Sequence, residues 1–400
     1  MFPIVAAFSL PIIILGVCHI SQRTRIHTTV GAVHALLEPR NTGDAADIAS
    51  RIFPHAHLGL TPSSDVLNPS SHDTFVAEVG GLTASFSSHK SAEGWKELVK
   101  RADKCTERFL PRRDVDFVAF IQSVTLCTIL VGFYNIDPES LSPLDIAFVT
   151  NGLNCHSDRA NPFNVTELSA MMERIYRWVG GEHAPGALEI IFPAYESMWR
   201  LAAMTLDYVN KDQHMRNAFL DFSENPTERQ FRAFKVKDTK PSVEAIIKEV
   251  LRLHPPMRHI MRKRKHPWWK QIFYPSQEMA DIASAHRSSA YGAQPENFDA
   301  MRFHPSQPIT PSLLAFGHGG LECIAKKWAP MATALIVAKV IDKVDDVRFI
   351  LAGNAFETSV GHNIRTGWDG WVIRKKEKVD HTFPPLQVSR GHINPNVKCQ

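Results

Sequence analysis

Hydrophobic residues recur every three or four positions along much of the chain, which is the spacing of one face of an α-helix. Residues 40–53 and 94–110 follow this pattern. Residues 57–73, between them, are rich in Ser, Pro, Asn and His and predict a loop. Residues 116–134 are apolar on nearly every side. They predict a buried core helix rather than a membrane span, because polar side chains occur inside the run.

Two more helical patterns follow towards the C-terminus. The first covers residues 186–209 and contains Pro193, which is expected to interrupt it. The second covers residues 241–256, with Ser242 as its N-cap and Pro255 at its end. Short β patterns appear only near the end of the chain. The sequence therefore predicts a mainly α protein with minor β structure.

The chain opens with a run that has no charged side chain. As a helix, residues 2–20 would be roughly 28 Å long, which is close to the thickness of a bilayer's apolar core. Arg23 and Arg25 follow, so an uncleaved anchor would place the rest of the chain in the cytosol. A cleaved secretory signal is the alternative, although no basic residue precedes the run. We expect an anchor at 1–20, a polar linker at 21–44 and one globular domain at 45–400.

Composition and charge exclude some classes of function. Of 400 residues, 45 are basic and 41 acidic, and a formal charge of +4 is too small to favour nucleic-acid binding. Six cysteines form no C-x-x-C pair or regular framework, which favours reduced thiols in a reducing compartment. A functional cysteine would then act as a single thiol.

Cys323 is the strongest candidate for such a thiol. Glycines at 317, 319 and 320 precede it, and a helical pattern follows it. A helix N-terminus stabilises a thiolate that binds a metal, and glycines let the backbone approach a flat bound group that Phe316 could shield. The alternative is a buried structural cysteine where a loop meets a helix.

Four motifs in order resemble those of the cytochrome P-450 family over roughly residues 45–375. The spacing F-x-x-G-x-x-x-C-x-A resembles the family's heme-binding loop, and it is occupied by Phe316, Gly319, Cys323 and Ala325. E-x-x-R is formed by Glu249 and Arg252, PENFDAMRF carries Arg302, and PAYES spans residues 193–197. The resemblance is closest to fungal membrane-bound members.

The resemblance implies the cytochrome P-450 fold, with heme b between a long central helix and the cysteine loop. Cys323 would be the axial ligand of the heme iron in a heme-thiolate catalytic domain. The loop around it would be shaped by Phe316, Gly319 and Ala325. Arg262 and, more loosely, His72 correspond to residues that contact the heme propionates in the family.

Two polar groups also take roles from the resemblance. Glu249 and Arg252 share one helix face, and with Arg302 they would form a buried network that fixes the cysteine loop. The alternative is a solvated surface pair worth about 0.5 kcal/mol or less. Glu196 and Ser197 resemble the acid–alcohol pair that delivers protons during oxygen activation, and the alternative is a polar patch on an apolar helix.

The chain departs from the family pattern at several positions. Leu321 and Val76 stand where members carry propionate partners. Arg262 matches a third such contact, and Arg258 is its nearest substitute. Ala194 replaces the usual glycine of the central helix, and Ser197 replaces threonine. Pro330 should kink the helix after Cys323. The region before His72 is also too short for the full N-terminal helix and sheet of a typical microsomal member.

The resemblance implies a monooxygenase that oxidises a lipophilic small molecule, in fungal secondary metabolism and at the endoplasmic reticulum membrane. Its electrons would come from an NADPH-dependent reductase docking near Lys326 and Lys327, with O2 as co-substrate. Two alternatives remain. One is a heme-thiolate isomerase, dehydratase or cyclising enzyme that needs no external electrons. The other is an inactive, heme-poor remnant.

Overall fold

The structure is a computed structural model. The residues that it describes are 24–38, 76–77, 79–84, 91–110, 115–157, 165–180, 184–235, 237, 239–263, 277–307, 311–319, 322–349, 368 and 371–375. The predicted anchor, the helix predicted at 40–53, the loop predicted at 57–73 and His72 all lie outside these residues.

Helices make up most of the described structure, as the sequence pattern predicts. In chain order they are α1 (Val30–Leu37), α2 (Ser91–Phe109), α3 (Phe117–Tyr134), α4 (Pro143–Ser157), α5 (Val165–Val179), α6 (Ala184–Asn210), α7 (Gln213–Glu224), α8 (Glu228–Arg232), α9 (Val243–Leu253), α10 (Ile282–His286) and α11 (Ala329–Lys343). Short 3-10 helices cover Pro138–Ser140, Ser289–Tyr291, Ala300–Phe303 and Ile324–Lys327.

The strands form two small sheets of three strands each. The strands are β1 (Thr24–His27), β2 (Val115–Asp116), β3 (His259–Lys263), β4 (Gln277–Asp281), β5 (Val344–Phe349) and β6 (Trp371–Lys375). One sheet has the order β1-β4-β3, with β1 parallel and β3 antiparallel to β4. The other has the order β2-β6-β5 and is antiparallel throughout.

Helix α3 lies in the main core, which confirms the prediction of a buried helix. Asp116 caps its start by accepting a 2.7 Å hydrogen bond from the amide of Ala119, and Asn135 ends it in the left-handed conformation. The helix packs against α2, α4 and α6. Among the described residues it is the one helix long and apolar enough to cross a membrane, but 78% of it is buried inside the protein.

Helix α6 is longer and more regular than the sequence predicts. It runs for 27 residues and continues through Pro193 without a break, so the expected interruption is wrong. Pro193 itself is exposed, whereas Ile190, Ile191 and Phe192 just before it are buried. The proline ring therefore faces away from the core, and the buried residues on the other side of the helix hold both halves in line.

The segment predicted as a linker is partly ordered structure, which corrects the expectation for residues 24–37. Strand β1 pairs with β4, and α1 begins at the N-cap Thr29. Three residues of α1, Val33, Leu36 and Leu37, are buried in a second, smaller core. Only one face of this two-turn helix is buried, and a segment of eight residues is too short for that face to stand out in the sequence.

Pro330 does not kink the helix that follows Cys323, contrary to expectation. Helix α11 begins only at Ala329, so Pro330 lies in its first turn. Amides of the first turn have no partner within a helix, and a proline there loses no hydrogen bond. A separate 3-10 turn, Ile324–Lys327, connects Cys323 to the helix.

Candidate active site

Cys323 lies at the end of a loop that folds back on itself. Gly317 and Gly319 have φ angles of 75° and 77°, in the left-handed region that favours glycine. The amide of Gly317 donates to the carbonyl of Leu314 at 2.8 Å, and the amide of Cys323 donates to the carbonyl of Phe316 at 2.8 Å. The turn therefore brings the two ends of the motif together, which accounts for two of its glycines.

Cys323 is exposed as a residue, with its sulfur partly desolvated by the surrounding protein, whereas Trp328 and Ala329 just after it are buried. Desolvation by the surrounding protein raises the pKa of this thiol, and the amide of Ala325 lowers it by less. The Glu322 carboxylate adds to the rise in pKa. Without a cation beside it, the sulfur is therefore protonated at neutral pH, and a bound metal would supply the charge that holds it as a thiolate.

The expected help from a helix N-terminus is weaker than the sequence suggests. Helix α11 starts six residues after Cys323, and the intervening 3-10 turn is too short to carry a large dipole. The amide of Ala325 is the favourable backbone group at the sulfur. The position of the thiol is therefore set mainly by the backbone path of the loop, and less by the electrostatic effect of a helix N-terminus.

Glu249, Arg252 and Arg302 meet in the interior, as the motif spacing suggests. The side chains of Glu249 and Arg252 are both 0% exposed, and Arg252 donates to each carboxylate oxygen at 2.8 Å. Arg302 Nε lies 3.5 Å from Glu249 Oε1, which also accepts a 2.8 Å hydrogen bond from the amide of Asp299. A solvated surface pair is therefore excluded.

Arg252 uses all five of its N–H groups. Besides the two bonds to Glu249, it donates to the carbonyls of His286 at 2.8 Å, Pro295 at 2.5 Å and Asn297 at 3.2 Å. A buried guanidinium is tolerated when its donors and charge are both satisfied. The arginine thereby connects α9 to the segment 286–297, which carries no regular long element of its own.

His286 and Tyr291, which no sequence motif marks, connect this network to the cysteine loop. The amide of Leu314 donates to His286 Nε2 at 2.8 Å, and the Tyr291 hydroxyl donates to the carbonyl of Ser312 at 3.1 Å. The guanidinium of Arg252 lies 5.6 Å from the centre of the Tyr291 ring. These partners are backbone groups or π faces, which leave no residue-type signal in a sequence.

A second contact reaches the loop from the N-terminal side. The ring of His34 on α1 stacks on His318, with centroids 4.1 Å apart and planes inclined by 10°. His34 Nε2 also lies 3.3 Å from the hydroxyl of Ser312. The pKa of His34 is lowered, first by burial and second by the neighbouring His318. The loop is therefore held from α1 as well as from α9.

Glu196 and Ser197 have different partners in the structure. Glu196 forms a largely buried ion pair with Arg200, one turn later on α6, and their i, i+4 spacing was the available sequence signal. The Ser197 hydroxyl donates to the carbonyl of Pro193 at 2.7 Å. Acid and alcohol are thus near neighbours on the helix, and each is already hydrogen-bonded.

One stripe of α6 is open in the middle of an otherwise buried helix. Pro193 is exposed and Ala194 and Ser197 are half-buried, whereas Tyr195 is fully buried on the other side. Tyr195 donates to Asn154 at 3.1 Å, and Asn154 donates to Gln122 at 2.9 Å. The open stripe therefore carries two apolar side chains and one hydroxyl.

The predicted propionate contacts are only partly described. Arg262 lies on β3 opposite Glu278 of β4, is half-buried, and donates to the carbonyl of Met261 at 3.1 Å. Val76 is 36% exposed. His72 and Leu321 lie outside the described residues.

These features fit a flat, metal-containing group bound through one sulfur. Cys323 is exposed on a loop that contains two left-handed glycines, and α6 separately has an open stripe. In the described part of the chain no cluster of three or more His, Cys, Asp or Glu could hold a metal ion by itself. A metal at Cys323 would therefore need most of its ligands from a cofactor.

Comparison with known families gives a match in the part of the chain that carries the motifs. The model described as Cytochrome P-450 matches residues 229–345, a span that includes Glu249, Arg252, Arg302 and Cys323. A search of curated proteins finds no significant relative.

Solved structures extend the similarity to most of the chain. The cytochrome P-450 TbtJ1 has a TM-score of 0.57 at 13% identity, covering 88% of this chain and 91% of that one. CalO2 has a TM-score of 0.55 at 12% identity, with 92% and 96% covered. CYP109E1 from Bacillus megaterium, solved with corticosterone, has a TM-score of 0.53 at 14% identity, with 88% and 92% covered. The chain therefore has the cytochrome P-450 fold, and residues 229–345 match the model of that family.

Proposed function

We propose that the protein is a heme-thiolate monooxygenase of cytochrome P-450 type. The observation that carries this proposal is one exposed thiol, Cys323, on a loop connected to a fully buried Glu249–Arg252 pair. A buried ion pair is tolerated only when further hydrogen bonds satisfy it, and here Arg252 donates those bonds to a segment with little regular structure of its own. So many buried hydrogen bonds are expected where the position of a loop determines the chemistry of the site.

In this proposal Cys323 would bind the iron of heme b, and Phe316, Gly319 and Ala325 would shape the loop that carries it. The heme would supply the activation of O2, assisted by electron donation from the thiolate. The amide of Ala325 lies at the sulfur and moderates its basicity. Arg262, and His72 outside the described residues, would hold the propionates.

Ser197 and Glu196 handle protons in the proposed reaction. The Ser197 hydroxyl donates a hydrogen bond to the Pro193 carbonyl and can instead rotate its O–H towards a water or substrate on the open stripe of α6. Glu196 can accept or pass on a proton only when its carboxylate exchanges Arg200 for water. Proton supply would then depend on how readily that ion pair opens.

The proposed substrate is a lipophilic small molecule oxidised in fungal secondary metabolism. Ala194 and Pro193 give the open stripe an apolar character, which suits such a molecule. CYP109E1, which shares the fold, was solved with corticosterone and with testosterone. We further propose an anchor at residues 1–20 in the endoplasmic reticulum membrane, with the catalytic domain in the cytosol.

An NADPH-dependent reductase would dock on the cysteine side. Lys326 and Lys327 are both exposed in the turn that follows Cys323. Lys326 is paired with Glu322 at 2.6 Å, which reduces its contribution to a cationic surface. Charge complementarity with an acidic partner would raise the rate of association more than the affinity.

The ferrous–CO difference spectrum tests the role of Cys323. We expect the full chain, reconstituted with heme, to show the long-wavelength band of a thiolate ligand, and Cys323→Ala to lose it. Cys399→Ser serves as the matched cysteine control and should keep the band. A Cys323→Ala protein that retains the band would refute the proposal. Absence of heme binding by the parent chain would favour a heme-poor remnant.

The Glu196–Arg200 pair favours one alternative activity. A carboxylate already paired with an arginine is a poor proton relay, and an isomerase, dehydratase or cyclising enzyme needs no protons for oxygen activation. Product formation without NADPH and O2 would establish this alternative. Strict dependence of turnover on both would exclude it.

A further inference from the structure

His286 forms two hydrogen bonds that join distant parts of the chain. Its side chain is fully buried at the end of α10. Nδ1 lies 3.2 Å from the carbonyl oxygen of Arg252, and Nε2 accepts a 2.8 Å hydrogen bond from the amide of Leu314. One ring thus touches the helix of the buried ion pair and the first residues of the cysteine loop.

The two partners fix the proton on the ring. A carbonyl can only accept, so Nδ1 must carry the hydrogen, and an amide can only donate, so Nε2 must be bare. Burial lowers the pKa of His286 to about 3, which keeps the ring neutral at physiological pH. The geometry and the burial therefore favour the same single tautomer.

A simpler role would be to cap α9. The last carbonyls of a helix lack intrahelical partners, and the neighbouring Arg287 donates to the carbonyl of Leu253 in this way. Capping explains the Nδ1 bond to Arg252, but it does not explain the bond from Leu314, which belongs to another part of the fold.

Leu314 is the residue from which the cysteine loop turns. Its side chain is 1% exposed, and its carbonyl accepts the hydrogen bond from Gly317 that opens the turn. Its amide is directed at His286 Nε2. The imidazole therefore fixes the position and direction of the backbone where it enters the loop that ends at Cys323.

We propose that His286 is a positioning residue, which sets the cysteine loop relative to Arg252 and so orients the Cys323 sulfur for its metal. The proposal rests on the proposed heme-thiolate function only for the metal. The mechanical link from Arg252 through His286 to Leu314 stands on the contacts alone.

Two substitutions separate the loop bond from the cap bond. In His286→Gln, the side-chain oxygen reaches the position of Nε2 and can still accept from the Leu314 amide. In His286→Asn, the shorter amide reaches the position of Nδ1 and can still donate to the Arg252 carbonyl. Arg287→Ala is the matched control, because it removes a neighbouring cap of α9 without touching the loop.

Hydrogen–deuterium exchange of the full chain is the first readout. In His286→Asn, exchange in a peptide covering 311–319 should rise about tenfold, as expected for loss of one buried hydrogen bond. Exchange in α3 should stay unchanged. In His286→Gln and Arg287→Ala, the loop should exchange as in the parent. Equal protection of the loop in the Asn and Gln variants would overturn the proposal.

The ferrous–CO spectrum is the second readout. The thiolate-type fraction of the band should fall in His286→Asn and be retained in His286→Gln. The spectrum could stay unchanged in both variants although the loop exchanges faster in the Asn protein. That result would show that His286 stabilises the loop but does not orient the Cys323 sulfur, and it would overturn that part of the proposal. If the parent binds no heme, the proposed function fails, while the exchange experiment still decides the mechanical link.

Discussion

Arg252 and Glu249 are joined by two parallel hydrogen bonds of 2.8 Å with neither side chain exposed to solvent. Three more N–H groups of the same guanidinium bind backbone carbonyls. Lysine offers only three donors and no planar fork. The pair is therefore a place where a substitution that keeps the charge is still costly.

We expect Arg252→Lys to lower the free energy of unfolding by about 3 kcal/mol or more, because buried acceptors lose their donors. Urea unfolding monitored by circular dichroism measures the loss. Arg232→Lys is the matched control, since Arg232 is 62% exposed and its ion pairs contribute about 0.5 kcal/mol or less. Equal stability of the two variants would contradict the buried network.

A pH dependence follows from His286. Its folded pKa is lowered from 6.5 to about 3, so below pH 6.5 the unfolded chain binds a proton there that the folded chain does not. The stabilisation is complete above pH 6.5 and is lost as the pH falls towards 3. Between about pH 7 and about pH 5 the parent should lose about 2 kcal/mol more than His286→Gln.

Urea unfolding of both proteins over that pH range provides the measurement. Other titrating groups are common to the two proteins and cancel in the difference. Parallel stability curves would show that His286 titrates normally, and would contradict its burial as a neutral ring.

The Glu196–Arg200 pair is expected to be strongly coupled. With side chains 14% and 5% exposed, a double-mutant cycle of Glu196→Gln and Arg200→Met should give a coupling free energy of about 1–3 kcal/mol. Glu173 and Arg177 have the same i, i+4 order but are 76% and 59% exposed. The corresponding cycle there should give about 0.5 kcal/mol or less. Similar coupling in the two cycles would argue against a buried pair.

Glycine at position 319 is required by its backbone conformation. Gly319→Ala should cost about 1–2 kcal/mol, because a Cβ is unfavourable at a φ of 77°. Gly31→Ala is the control: Gly31 lies in α1 with nothing within 4 Å of an added Cβ, and alanine there should stabilise by up to about 1 kcal/mol. Thermal unfolding of both variants should therefore shift in opposite directions.

Side-chain motifs were predictable from the sequence to the extent that both partners are recognisable residue types. Glu249, Arg252 and Arg302 carry charges at motif positions, and the structure brings them together. His286 acts on the backbone of residues 28 and 34 positions away, and any amide or carbonyl would serve. A single sequence contains no pattern for such a contact.

The fold shows the same division. The run at α3 is apolar on every side and therefore predicts a core helix, because a helix that is buried all round needs apolar residues at nearly every position. By contrast, β1 and α1 have no distinctive sequence pattern, since their stability comes from pairing with β4 and from a few buried side chains. Pro193 and Pro330 break no helix, because the effect of a proline depends on which turn and which face it occupies.

If the proposed anchor is present, the early start of strand β1 would hold the folded part of the chain close to a lipid surface. If residues 1–20 are embedded, only four residue steps separate Ile20 from Thr24, a tether of roughly 14 Å at full extension. The sheet edge, and through the stacked His34 and His318 the sulfur-bearing turn, would then stay beside the headgroups. A lipophilic compound dissolved in the bilayer would then reach the protein without passing through bulk solvent.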